Sequence, residues 1–74
     1  MNPDELTLNG VKLLEEGRFE DALAFFEQAL LQNPNNPDLW NNKGIVLRSL
    51  GRYNEAIECF TKSLEIDPRD KNAS

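Results

Sequence analysis

The chain has 74 residues, a formal net charge of −5, no histidine and one cysteine, Cys59. Its few basic residues are scattered, so it lacks the positive surface that nucleic acids and anionic membranes require. A zinc site and a disulfide are also excluded, because both need more histidine or cysteine. We therefore expect no cofactor or metal and no nucleic-acid or membrane partner. Because the chain shows neither a membrane-spanning apolar run nor a signal-peptide pattern, we predict a cytoplasmic protein.

The first predicted helix covers residues 3–16. Asn2 is placed to cap its N-terminus, and Pro3 occupies the first helical position, where proline loses no hydrogen bond. The apolar and small residues that recur at helical spacing are Leu6, Gly10 and Leu13. Gly17 then stands where a residue with left-handed backbone would end the helix.

The second predicted helix covers residues 20–32 and ends before Pro34, because the residue preceding a proline avoids helical backbone. Its expected buried face consists of Ala22, Leu23, Phe26, Ala29 and Leu30. The segment that follows, "QNPNNPDLWN" at 32–41, has two interpretations. It is either a flexible linker or a tight turn between two helices.

The third and fourth predicted helices cover residues 37–50 and 54–66 and repeat the same signals. Asn36 and Pro37 form the start signal, and Gly51 ends the third helix. The expected buried face of the fourth helix consists of Ala56, Ile57, Phe60, Ser63 and Leu64. Cys59 is expected to be a small, partly buried residue.

The two halves match each other at an offset of 34 residues without a gap. "NPDELTLNG" falls on "NPDLWNNKG" and "GRF" falls on "GRY", while Phe26 aligns with Phe60 and Pro34 with Pro68. The prolines of 32–41 therefore end one unit and begin the next, which favours a turn. We predict an all-α chain forming a single domain, 1–74, of two helix-turn-helix units. These units cover 3–36 and 37–70, and a short polar tail covers 71–74.

The repeated pattern resembles the tetratricopeptide repeat (TPR), W-x2-L-G-x2-Y, then A-x3-F, then P, over about 34 residues. The residues of the second unit in register with the pattern are Trp40, Gly44, Leu47, Ala56, Phe60 and Pro68. Asn9 and Lys43 replace the leucine of the pattern, Leu13 and Leu47 replace the tyrosine, and Leu6 replaces the tryptophan in the first unit. The resemblance implies a short right-handed α-solenoid. In such proteins, the first helix of each pair lines a concave groove that binds proteins or peptides.

By this analogy the candidate peptide-binding residues are Thr7, Val11, Leu14, Asn41, Asn42, Ile45 and Arg48. Other residues expected along the groove are Asp4, Leu8, Glu15, Asp38 and Ser49. The apolar members either contact a ligand or are covered by a neighbouring helix. Asn41 and Asn42 are the best polar candidates, since helix propensity does not favour asparagine there. Arg48 either pairs with a ligand carboxylate or is a solvated helix charge.

The resemblance implies a protein-interaction scaffold, and the sequence offers no catalytic motif, so we predict that the chain is not an enzyme.

The last helix would leave Ile57 and Leu64 without a covering neighbour. About three repeats are usually needed for stability, and an uncovered apolar face usually marks an interface. Either the chain belongs to a longer array, or two copies form a homodimer through this helix. The alternative function is thus a structural oligomerisation module without a peptide ligand.

Overall fold

The computed structural model of the chain describes residues 2–68, and this part of the chain is all-α. The helices are α1 (Pro3–Glu15), α2 (Phe19–Gln32), α3 (Pro37–Ser49) and α4 (Tyr53–Ile66). α1 packs on α2, α3 packs on α4, and the two pairs meet mainly through α2 and α3. The all-α prediction is confirmed. α2 and α4 begin one residue earlier than expected, and the predicted tail, 71–74, lies outside the described residues.

Asparagine side chains start α1 and α3. The Oδ1 atom of Asn2 accepts a hydrogen bond from the Glu5 amide at 2.8 Å. Asn36 Oδ1 accepts from the Asp38 amide at 2.9 Å and from the Leu39 amide at 3.4 Å. These bonds satisfy amides that have no partner within the first helical turn, and such a cap stabilises a helix by about 1 kcal/mol.

Glycines end the same two helices. Gly17 and Gly51 both have φ of 81°, a left-handed conformation that glycine adopts with little strain. After α1, the Arg18 amide donates to the Leu13 carbonyl at 2.8 Å and the Gly17 amide to the Leu14 carbonyl at 3.1 Å. This pair of bonds is the Schellman motif. The chain reverses within three residues, so each helix pair is antiparallel.

Within each pair, a glycine on the first helix faces a phenylalanine on the second. A Cβ atom placed on Gly10 would lie 2.7 Å from Phe26 Cε1, and one on Gly44 would lie 2.7 Å from Phe60 Cε1. Phe26 is fully buried, whereas Phe60 is only partly buried. Glycine inside a helix lowers helix stability by about 1 kcal/mol relative to alanine, but here it allows the phenylalanine ring to pack against the helix backbone.

The interface between the pairs depends on residues that the sequence analysis did not single out. Leu39 and Val46 of α3 are fully buried and belong to the same core cluster as Leu23 and Leu30 of α2. The residues that occupy the positions of Leu39 and Val46 in α1 are the exposed Glu5 and Lys12. Position in the repeat therefore does not determine burial, since burial here requires a preceding helix.

Within the segment 32–41, residues 33–36 form a short turn between α2 and α3. The Trp40 indole Nε1 donates to the Pro34 carbonyl at 2.8 Å, and the Asn36 amide donates to the Asn33 carbonyl at 3.3 Å. The first bond ties the turn to α3, and the second closes the turn itself. Buried residues of both helix pairs belong to one core cluster.

The outer side of α4 corrects the predicted buried face. Ile57 is 60 % exposed, so its place in the predicted buried face is wrong. Its exposure agrees with the expectation that the last helix leaves it without a covering neighbour, since no helix among the described residues covers that side. Leu64 is half-buried. Cys59 is buried more completely than expected, with 4 % exposure. Ser63 is held by a hydrogen bond that its hydroxyl donates to the Pro37 carbonyl at 2.9 Å.

The glycine–phenylalanine contacts predict the effect of adding one methyl group. Gly10→Ala should lower the free energy of unfolding by about 1–3 kcal/mol, because the new Cβ overlaps a fully buried ring. Gly44→Ala is the matched control and should cost less, because the partly exposed Phe60 ring has room to move. Urea unfolding measures both. Stabilisation by Gly10→Ala, as helix propensity alone predicts, would contradict the packing argument.

Candidate functional site

The candidate site is the side of α1 and α3 that is turned away from α2 and α4, here called the groove face. Helical spacing directs Leu6 and Gly10 of α1 towards α2, and places Leu8, about 200° round the helix from Leu6, on this face. Leu8 is 59 % exposed there. Asn42, which takes the place of Leu8 in α3, is half-buried, as is Ile45.

The apolar candidates of the two helices have different surroundings. Val11 and Leu14 are partly buried and pack against the core cluster, so a neighbouring helix covers part of each side chain. Leu8 is a more exposed apolar residue on this face than either of them. Leu8 was expected along the groove but was not among the candidate binding residues. The sequence feature that distinguishes it is an apolar residue at the position where the second unit has the polar Asn42.

The two adjacent asparagines point in different directions, because successive helical residues are rotated by about 100°. Asn41 is exposed and lines a depression of about 360 Å³ at the open side of α3 and α4, together with Phe60 and Leu64. Asn42 lies further round, on the groove face. The structure thus separates two residues that the sequence placed together.

The remaining candidates lie at the edges of the groove face. Thr7 is half-buried on α1. Arg48 is exposed and its Cζ atom lies 6.0 Å from the centre of the Phe60 ring, within the range of a cation–π contact. The Ser49 hydroxyl donates to the Ile45 carbonyl at 3.0 Å within the helix. Arg48 therefore lies beside α4, away from the α1 side of the groove face.

A cleft of about 470 Å³ on the opposite side was not anticipated from the sequence. The Lys43 ammonium lies there 3.6 Å from a Glu27 carboxylate oxygen and 5.5 Å from the centre of the Trp40 ring. Arg52 Nη2 and Glu55 Oε2 lie 2.6 Å apart at its rim. These residues come from three helices, and only their packing brings them together. Opposite charges are already paired within the cleft.

Two protein-family models match this chain. A tetratricopeptide repeat model matches residues 37–70, and a TPR repeat model matches residues 10–47. The chain belongs to the TPR family. A comparison with curated protein sequences returns no match. TPR repeats generally mediate protein–protein interactions and are typically non-catalytic, so the groove face is a protein-binding candidate in this TPR chain.

Other kinds of site are not visible in the described part of this TPR chain. Within residues 2–68, no three acidic, cysteine or histidine side chains are placed to share a metal ion. No helix in that range has both the length and the apolar character needed to cross a bilayer. The Cys59 thiol is buried, and burial raises its pKa, against a smaller lowering by the nearby Lys43 ammonium.

The environment of Cys59 predicts slow chemical labelling. Its thiolate is the reactive form, and a raised pKa together with burial leaves little accessible thiolate near neutral pH. Iodoacetamide at pH 7.5 should modify folded chain far more slowly than the same chain in concentrated urea, as followed by intact mass. Equal rates in the two conditions would show that the thiol is accessible in the folded protein.

Proposed function

We propose that this TPR chain is a scaffold that binds a peptide or helix of a partner protein along the groove face of α1 and α3. The observation that carries the proposal is the exposure of Leu8, at 59 %, on the face that also carries the half-buried Asn42 and Ile45. An exposed leucine is common on its own. Here it lies on the surface that TPR proteins use for partners, beside an amide that can hydrogen-bond to a peptide backbone.

The chemistry of this surface favours a mixed apolar and polar ligand. Leu8 and Ile45 supply apolar contact area, and the exposed parts of Val11 and Leu14 extend it. Asn42 supplies a donor and an acceptor. The net charge of −5 favours neutral or basic partner segments over acidic ones, because complementary charge speeds encounter.

The same proposal includes the bounds of the repeats, the absence of catalysis and the cellular location. We treat residues 3–36 and 37–70 as the two repeats of a single domain, 1–74. The non-catalytic role follows from the scaffold function. A cytoplasmic location stays a prediction from the sequence.

Self-association through α4 is the second candidate, and the 60 % exposure of Ile57 favours it. It would make the chain a structural module without a peptide ligand. Sedimentation equilibrium across a dilution series is the direct measurement. The expected mass is that of the 8.4 kDa monomer, because two copies with a charge of −5 each repel one another. A mass that stays at twice this value on dilution would favour the structural module.

The groove proposal predicts which substitutions abolish partner capture. Leu8→Ser combined with Asn42→Ala should reduce capture from a lysate by roughly tenfold, the effect of removing interface anchors. Leu31→Ser is the matched control, because Leu31 is 84 % exposed on α2, outside the groove face. Pull-down with quantitative mass spectrometry measures both variants.

Both variants should keep the folding stability of the parent chain. The substituted leucines are exposed, and at the half-buried Asn42 alanine has the higher helix propensity. The proposal fails if the groove variant captures the same proteins as the parent at the same level. It also fails if the Leu31→Ser control loses them equally.

A further inference from the structure

We draw no further inference here: the strongest candidate, the cleft of about 470 Å³ that α2, α3 and α4 form around Lys43, carries none, because the Lys43 ammonium is already paired with Glu27 there and nothing in the structure shows which ligand would occupy the cleft.

Discussion

Each helix pair depends on the approach of a phenylalanine ring to a helix backbone that has no side chain at that point. The absent Cβ at Gly10 and Gly44 leaves space that the rings of Phe26 and Phe60 fill. A larger residue at Gly10 would overlap the fully buried Phe26 ring and disturb the apolar contacts between α1 and α2. The caps, the Schellman turns and the short connections then only have to bring the two helices into position.

The two units share this contact, but their surroundings differ. In the first pair, Leu23 and Leu30 of α2 are nearly buried where α3 packs on them. In the second pair, Ile57, the equivalent of Leu23, is 60 % exposed. On the other side, α1 places the charged Glu5 and Lys12 where α3 has aliphatic residues. The stack of two units is therefore polar at its first end and apolar at its last, which gives the described part of the molecule a direction.

This direction matters for function in a family whose members bind proteins. The groove face, with Leu8, Asn42 and Ile45, lies along the first helices, whereas the exposed Ile57 lies on the last helix of the stack. A ligand bound as proposed on the groove face would contact both units at once.

The sequence by itself determined the helices, their caps and the glycine ends, because these depend on short-range bonds between residues close in the chain. Asn36, Pro37 and Gly51 act as the sequence indicated, and the 34-residue offset predicted two equivalent helix pairs. The tertiary structure alone decided how the two helix pairs meet, because that contact joins residues far apart in the chain. It packed Leu39 and Val46 of α3 into one core with α2, and it brought the Lys43 ammonium to 3.6 Å from a Glu27 carboxylate oxygen.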